Sequence, residues 1–321
     1  MIEKDTQPRP LIVILGHTAV GKTELSLQLA ERFQAEIVSA DSRLFYRGMD
    51  IGTAKPSREE RQRVPHHLID VADPDQVWNL AIYLREARKI ITGIHEKGKL
   101  PFLVGGTGQY IQAVIEGWRI PEVKPHPELR CVLRAWAEEI GVDGLRRRLA
   151  VLDPEAAAGI EGPNLRRMIR ALEVTLLSGK PFSEQKGKGP TPYQVLKLGL
   201  TRPRPALYRR IDRRIQAMIE AGFVEEVQSL LQKGYSPDLP PMSAIGYRQI
   251  VHYLQGTITR EEAIRQMKSR SRKYVRKQAN WFQPDDPTIR WFKLPETGLD
   301  EIAGEIEQLL NSIGYTVESE G

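Results

Sequence analysis

The chain has 321 residues, of which 40% are hydrophobic and 27% are charged, and its formal net charge is +6. This composition predicts a globular protein with one large domain and an insertion, or with two domains, and it permits a polyanionic partner without requiring one. The single cysteine, Cys131, excludes an intramolecular disulfide and a multi-cysteine zinc site. Because no apolar run could span a bilayer and the polar N-terminus is unlike a secretory signal, we expect a cytoplasmic protein with no membrane partner.

The first hundred residues alternate apolar runs with amphipathic helical patterns, as is typical of a parallel α/β sheet. In chain order, the patterns predict a strand at 11–15, a helix at 22–33, a strand at 35–41, a helix at 80–98 and a strand at 100–106. The carboxyl ends of these strands should meet at one sheet edge, where open α/β proteins bind ligands.

The composition changes near residue 118, where three prolines precede helical patterns that continue to about 178. A segment rich in Gly, Pro and Lys is predicted to be a mobile loop, and further strand and helical patterns follow it. The loop covers 178–192, the strand 193–200 and the helices 206–283. We therefore predict a core formed by 1–118 and 190–313, with a helical C-terminal part, a helical insertion domain at 119–189 and a frayed tail at 314–321.

A phosphate-binding loop lies between the first strand and the first helix. The spacing Gly16-x4-Gly21-Lys22-Thr23 matches the Walker A pattern, whose backbone N–H groups surround phosphate oxygens. Lys22 would add positive charge and the Thr23 hydroxyl could ligate Mg²⁺, so the core should be P-loop NTPase-like. The predicted diphosphate-binding residues are Gly16, His17, Thr18, Ala19, Val20, Gly21, Lys22 and Thr23. The loop alone leaves a nucleotide or metabolite kinase and a nucleic-acid-stimulated ATPase open, whereas a GTPase would need an Asn-Lys-x-Asp motif that the chain lacks.

Two further segments should lie at the same edge of the sheet. Asp41 ends the second predicted strand, where it could ligate magnesium through water, act as a general base, or merely form a turn. Arg43, Arg47 and Lys55 follow it and favour an anionic substrate. The segment 103–111 has paired glycines that admit close backbone approach, together with the hydroxyl of Thr107, although it could also be a plain strand–helix turn.

A strongly basic stretch occupies residues 265–282, with seven basic residues from Arg265 to Lys277 and no acidic one. Like charges at helical spacing repel one another unless an anion neutralises them, so a phosphate backbone is the expected partner. A solvated face without a partner is the alternative. Trp281 and Phe282 could stack on a base, but core packing is the preferred interpretation, and adjacent His66 and His67 are not expected to share a metal ion.

Seven segments, in this order, resemble the tRNA dimethylallyltransferases, also called tRNA isopentenyltransferases. They are GHTAVGKT at 16–23, SADSRLFYRGMDIGTAKP at 39–56, HHLID at 66–70, VGGTGQY at 104–110, RALEV at 170–174, AGFVEEV at 221–227 and AIGYRQ at 244–249. The resemblance extends from about residue 11 to about residue 283. The chain has no segment that resembles the zinc-finger extension of eukaryotic members, so it is similar to the bacterial type.

The resemblance implies a reaction in which the cradled phosphate is a leaving group. The family transfers a dimethylallyl group from dimethylallyl diphosphate to N6 of adenosine 37 in tRNA and uses Mg²⁺. Asp41 matches the family's general base, Thr107 a threonine near the amine, and Arg214 an arginine that contacts diphosphate, with Arg210 a weaker candidate one helical turn away. A kinase, which would leave the basic stretch unexplained, and an RNA-binding ATPase without covalent chemistry remain the alternatives.

The tRNA-binding residues follow from the same resemblance and from the basic stretch. The anticodon stem-loop would present adenosine 37 as a flipped base. The implied contacts are Asp41, Ser42, Arg43, Leu44, Thr107, Arg130, Arg166, Arg167, Met168, Ile169, Arg170, Ser243, Ala244, Ile245, Gly246, Tyr247 and Arg248, and the basic stretch adds Arg272, Arg276 and Lys277. His17, Leu44, Gln109 and Gln283 depart from the family pattern without removing a catalytic candidate. We expect a monomer, and the sequence does not indicate which tRNAs are modified.

Overall fold

The structure is a computed structural model that describes residues 9–316 and divides into two compact units. The first contains the chain up to Ile115 and from Pro192 onward, and the second is Glu116–Thr191. The strands are β1 (Arg9–Gly16), β2 (Glu36–Ser39), β3 (His66–His67), β4 (Pro101–Gly105), β5 (Trp118–Arg119), β6 (Gly187–Lys188), β7 (Tyr193–Thr201) and β8 (Ile289–Lys293).

Helices connect these strands and account for most of the C-terminal half. They are α1 (Lys22–Arg32), α2 (Arg58–Arg63), α3 (Leu80–Glu96), α4 (Gly108–Ile115), α5 (Pro127–Leu152), α6 (Pro154–Gly159), α7 (Leu165–Ser178), α8 (Phe182–Gln185), α9 (Arg204–Glu220), α10 (Phe223–Gln232), α11 (Tyr247–Leu254), α12 (Arg260–Gln278) and α13 (Leu299–Ser312), with a 3₁₀ turn at Pro240–Ser243. None of the described helices combines the length and apolarity needed to cross a membrane.

The first unit is built on a six-stranded parallel sheet with the order β3-β2-β4-β1-β7-β8. Its central strand β1 is buried on both faces: Leu11, Ile12, Val13 and Ile14 are each 0% exposed. A continuous apolar run of this kind is expected where both faces of a parallel sheet are covered. The predicted α/β class with a parallel core is therefore confirmed.

The carboxyl ends of β1, β2 and β4 meet at one edge of this sheet. Gly105, the last residue of β4, lies so close to the chain after β2 that a β-carbon there would be 2.3 Å from the Ala40 carbonyl oxygen. Only glycine permits this approach. The second strand ends at Ser39 rather than at residue 41, so Asp41 lies two residues beyond β2, in the loop itself.

The second unit is a helical domain. Helix α5 is interrupted at Gly141, which has φ of 73°, so its two halves can both contribute to the unit's core. Leu133 and Leu149 pack there with Met168 and Leu172 of α7. The predicted mobile loop 178–192 is wrong in part, because it contains α8 and the strand β6, which pairs antiparallel with β5. Its Ser183 donates hydrogen bonds from both N and Oγ to the Asp153 carboxylate, which holds the segment on the domain.

The C-terminal part extends the sheet beyond the predicted elements. Strand β8 adds an edge to the sheet beside β7, and α13 follows it; neither was predicted. Phe282 is 3% exposed and belongs to the core, whereas Trp281 is 37% exposed. Of the predicted frayed tail, residues 317–321 lie outside the described part of the chain, and the hydroxyl of Tyr315 donates to the Lys99 carbonyl at 3.1 Å.

Candidate active site

The loop between β1 and α1 has the left-handed backbone positions that a phosphate-binding loop would need. Gly16, Ala19 and Gly21 all have left-handed φ angles, of 145°, 62° and 118°. Helix α1 begins at Lys22, so the N–H groups of its first turn and the positive end of its dipole are directed at this loop. Lys22 Nζ donates to the carbonyls of Gly16 and His17, both at 2.9 Å. The ammonium group is thus held inside the loop.

The loop is electrostatically positive. Burial lowers the pKa of Lys22 from 10.5 to about 8; the Asp41 carboxylate opposes this effect and Arg214 adds to it. Burial also lowers the pKa of Arg214, again opposed by Asp41 and assisted by Arg210. His17 has a lowered pKa because of burial and the nearby charge of Lys22. These cations destabilise one another in a low-dielectric site, which is the arrangement that favours a bound anion.

Two arginines, one just after β7 and one in α9, donate hydrogen bonds to carbonyls of this loop. Arg210 Nε donates to the Ala19 carbonyl at 2.8 Å and Arg202 Nε to the Val20 carbonyl at 2.7 Å. Arg214, one turn after Arg210, donates to the Thr53 carbonyl at 3.1 Å. Sequence reasoning missed Arg202, because it follows the end of β7 and no helical spacing relates it to Arg210.

Asp41 and Thr107 lie on adjacent loops that contact each other. Thr107 N donates to the Ala40 carbonyl at 3.2 Å, and Ser42 N donates to Thr107 Oγ1 at 3.4 Å. Asp41 Oδ1 accepts the N–H of Arg43 at 3.0 Å, so the aspartate does form a turn. That turn leaves the carboxylate close enough to Lys22 and Arg214 to influence both of their pKa values.

Helix α12 contributes a phenol that sequence reasoning did not identify. Burial and the Asp41 charge raise the pKa of Tyr274 to about 12, and the nearby Thr107 side chain opposes this effect. The sequence drew attention only to the basic residues of this helix. The only sequence signal for Tyr274 was its spacing: it lies four residues before Gln278, so the two side chains lie on the same face of α12.

The segment after Asp41 is held by internal ion pairs, which corrects part of the prediction. Lys55 has a side chain only 1% exposed, and it pairs with Asp50 and Asp70. Arg47 pairs with Asp73 at 3.1 Å. Lys55 is therefore structural and is not free for an anionic substrate, and Arg47 is already paired although its side chain is 51% exposed. The guanidinium of Arg43 donates to the Pro240 carbonyl at 3.4 Å.

A half-buried carboxylate, that of Glu226, fixes the backbone of the same segment. Glu226 of α10 accepts the N–H groups of Asp50, Ile51 and Gly52 at 2.8, 2.6 and 3.1 Å, and also the Tyr247 hydroxyl at 2.6 Å. Three backbone N–H groups that point at one carboxylate stabilise its negative charge, as the free N–H groups at a helix N-terminus do. Glu226 therefore fixes the backbone that leads to Thr53, the acceptor of Arg214.

Comparison with known proteins identifies the family. A model of the IPP transferase family matches residues 44–285. The chain belongs to the IPP transferase family. It is 54% identical over 274 residues to the tRNA dimethylallyltransferase of Roseiflexus sp. (strain RS-1), covering 85% of this chain and 90% of that protein. It is 46% identical over 303 residues to that of Thermomicrobium roseum, covering 94% and 92%.

Solved structures of IPP transferases have the same fold. The tRNA isopentenylpyrophosphate transferase of Bacillus halodurans is 41% identical, with a TM-score of 0.71 over 95% of this chain and 98% of that chain. A eukaryotic dimethylallyltransferase acting on tRNA is 27% identical, with a TM-score of 0.80 over 97% and 81%. The predicted resemblance, made from seven short segments, is therefore confirmed.

The tRNA-binding residues predicted for this IPP transferase differ in accessibility. In the insertion unit, Arg166 and Arg167 are exposed, whereas Met168 and Ile169 are core residues at 0% and 5% exposure. Arg130 and Arg170 both pair with the fully buried carboxylate of Glu173, at 2.7 and 2.6 Å. The side chains of Met168 and Ile169 therefore cannot contact RNA in this conformation, which corrects that part of the prediction.

In the first unit, the segment before α11 is also divided between surface and core. Ser243 and Arg248 are exposed and Ile245 is half-buried, whereas Gly246 is buried and Ala244 and Tyr247 are 5% and 0% exposed. Tyr247 is committed to Glu226, so its side chain is structural.

The basic helix α12 borders a groove of about 490 Å³ with α9. Arg272 pairs with Asp212 at 2.6 Å and lies over the Tyr208 ring, and Arg276 donates to the Tyr208 hydroxyl at 3.4 Å. Lys277 is exposed. The groove is lined by Asp212, Arg265, Lys268, Ser269, Arg272 and Arg276.

The two adjacent histidines, His66 and His67, have a structural role at the edge of the sheet. They form β3, where His66 Nδ1 lies 2.7 Å from the Val64 carbonyl and His67 Nε2 lies 2.7 Å from Glu36 Oε2. Among residues 9–316, His, Cys, Asp and Glu form no group of three or more that could hold a metal ion.

Proposed function

We propose that this IPP transferase moves a dimethylallyl group from dimethylallyl diphosphate to N6 of adenosine 37 in tRNA and releases diphosphate. One observation carries the proposal. A half-buried, positively charged loop that could cradle phosphate lies at the same sheet edge as a carboxylate, Asp41, that interacts electrostatically with Lys22 and Arg214. One site could therefore contain both the leaving group and the base, and the relatives at 54% and 46% identity are named tRNA dimethylallyltransferase.

The cradle's role is to stabilise the departing diphosphate. As the allylic C–O bond breaks, its electron pair moves onto the diphosphate, and negative charge grows on the phosphate oxygens. Lys22, Arg214 and the N–H groups at the start of α1 are already oriented before the bond breaks. Preorganised donors of this kind stabilise developing charge without reorganisation, which is commonly the largest catalytic contribution.

Asp41 and Thr107 would act on the N6 amine. When the C–N bond forms, N6 becomes positively charged and must lose one proton. The Asp41 carboxylate accepts that proton, and its turn with Arg43 N holds it in place. Thr107, whose hydroxyl accepts the N–H of Ser42 in the loop that carries Asp41, would hold the same amine. Base catalysis of this type contributes on the order of 10²- to 10⁴-fold in rate.

Magnesium fits this site as a companion of the diphosphate. Mg²⁺ typically takes one or two protein oxygens and completes its octahedron with phosphate oxygens and water. Thr23, exposed in the first turn of α1, supplies one hydroxyl, and the described residues contain no dedicated acidic cage. When bound, the ion would neutralise charge on the leaving group.

The RNA would bind across exposed basic residues. In the first unit these are Arg248, Arg276 and Lys277, and in the insertion unit Arg166 and Arg167. Phosphate contacts of this kind position an RNA without reading its sequence. The tRNA stem-loop is the partner class because adenosine 37 must leave the stack before N6 can react, and flipping a base is easiest in a loop.

A labelling experiment tests the proposal. The full chain is incubated with Mg²⁺, labelled dimethylallyl diphosphate and an unmodified anticodon stem-loop, alongside a stem-loop with purine in place of adenine at position 37. We expect label only in the adenine-containing RNA. The matched enzyme control is Lys22→Met, which should lose transfer. Steady ATP turnover without labelled RNA would contradict the proposal and favour a kinase or an RNA-binding ATPase.

A further inference from the structure

Gln278, the last residue of α12, links two loops of the site. Its carboxamide is buried, with the residue 3% exposed, and both ends are satisfied. Nε2 donates to the Gly106 carbonyl at 2.9 Å, and Oε1 accepts the N–H of Thr18 at 3.0 Å. One side chain therefore joins the phosphate loop to the loop that begins after β4.

This link lies where strands β1 and β4 end and their chains separate. Strands β1 and β4 are paired along their length, and the last partners in their register are Leu15 and Gly105. Beyond that pair the two chains separate into different loops, and Gln278 bridges them through Thr18 and Gly106. The side chain thus continues the attachment between the chains past the end of the sheet, using one donor and one acceptor as a peptide group would.

The fit around the carboxamide is close. A β-carbon built on Gly106 would lie 2.7 Å from Gln278 Nε2 and 3.5 Å from Lys22 Nζ. The first distance is shorter than any ordinary contact, so the glycine makes room for the carboxamide. Asparagine is one methylene shorter and could not reach both partners, whereas methionine fills a similar volume and makes neither hydrogen bond.

We propose that Gln278 is a positioning residue that sets the separation between the diphosphate cradle and Thr107. The inference rests on the proposed function, because one loop would hold the leaving group and the other the nucleophilic amine. In-line attack needs the reacting carbon and nitrogen at a fixed distance, and a displacement of about 1 Å can cost a factor on the order of 100 in rate. Gln278 acts through the two loops and touches neither substrate.

Single-turnover transfer measures this effect directly. In Gln278→Met, we expect the transfer rate to fall by roughly 10- to 100-fold. The Kd for the RNA stem-loop should change by less than about twofold, because Gln278 is buried and carries no charge. The matched control is Gln266→Met, the same substitution on the same helix, where the lost hydrogen bond is only to Glu262. It should transfer at the wild-type rate.

Hydrogen–deuterium exchange provides a readout that does not depend on the reaction. In Gln278→Met, amides in the segments 16–23 and 104–110 should exchange faster, while β7 should not change. General destabilisation would instead accelerate exchange throughout the sheet. If the methionine variant does not fold, Gly106→Ala disturbs the same carboxamide from the other side and should slow transfer in the same direction.

The outcomes separate this inference from the proposed function. If the wild type does not label RNA, the proposed function fails, and exchange in the two segments still decides whether Gln278 joins the loops. Wild-type transfer and wild-type exchange in a folded Gln278→Met variant would overturn the inference. A slowed rate with accelerated exchange confined to the two loops would support it.

Discussion

Lys22 should make diphosphate binding depend on pH near the upper physiological range. Its pKa is about 8 in the ligand-free protein because burial outweighs the attraction of Asp41. The usual value is 10.5, so the folded protein bears a cost of roughly 3 kcal/mol when this lysine is charged, at 1.4 kcal/mol per pH unit. Below pH 8 both the folded and unfolded chains hold the proton, and the cost is fully present.

Between about pH 8 and pH 10.5 the unfolded chain retains the proton and the folded chain does not. The contribution of Lys22 to the free energy of unfolding therefore increases with pH across that window. Binding of an anion has the opposite dependence, since diphosphate favours the charged lysine. Above pH 8 the protein must take up a proton when diphosphate binds, so its affinity for diphosphate should fall about tenfold for each further pH unit. Between pH 7.5 and pH 9.5 the affinity should fall about 20-fold in total.

Calorimetric titration with Mg²⁺ and inorganic diphosphate tests this expectation. Experiments in buffers of different ionisation enthalpy give the number of protons taken up on binding. The control is Lys22→Arg, which stays charged throughout and leaves the titration of diphosphate itself unchanged. The wild type should take up nearly one proton more than the arginine variant at about pH 9. Equal proton uptake in the two proteins would show that Lys22 is not the titrating group.

Three further predictions concern the base, the insertion unit and the RNA surface. Asp41→Asn keeps the acceptor for Arg43 N but cannot take a proton. Single-turnover transfer should therefore fall on the order of 10²- to 10⁴-fold, while RNA affinity is retained. A wild-type transfer rate in this variant would show that Asp41 is not the base. Glu173→Gln leaves two arginines facing a neutral amide and should destabilise the chain by about 3 kcal/mol in urea unfolding, and an unchanged midpoint would refute this. Replacing exposed Lys277 with Gln should reduce the salt dependence of RNA binding by about one phosphate contact, whereas an unaltered slope would exclude it from the interface.

The elements that form the phosphate cradle could be predicted because their signals are local. The apolar run at 11–15 and the glycine spacing after it require only neighbouring residues, and the structure has β1 and α1 within two residues of the predicted bounds. Strand β8 was missed for the opposite reason. It is a five-residue edge strand in which only Ile289 and Phe292 are buried, and nothing nearby in sequence indicates that β7 is its partner.

The role of individual charges depended on distant partners and could not be predicted. Arg47 and Lys55 lie in a segment that resembles a substrate site, yet Asp70 and Asp73, which neutralise them, come from a different part of the chain. Arg130 and Glu173 are likewise 43 residues apart. A family pattern identifies which positions matter, but it does not distinguish a residue that binds the ligand from one that holds the loop.

The excess of positive charge explains how one site can favour diphosphate both before and after the bond breaks. Lys22 and Arg214 share one carboxylate, Asp41, and the lowered pKa of each shows that this carboxylate does not compensate their burial. An arriving diphosphate supplies the missing charge, so binding relieves a cost already present in the folded protein. In the proposed reaction, Asp41 would lose its negative charge on accepting the proton from N6, and the two cations would then be neutralised by the leaving group alone. Proton transfer and C–O cleavage would therefore assist each other, because each step would increase the attraction between the cradle and the departing diphosphate.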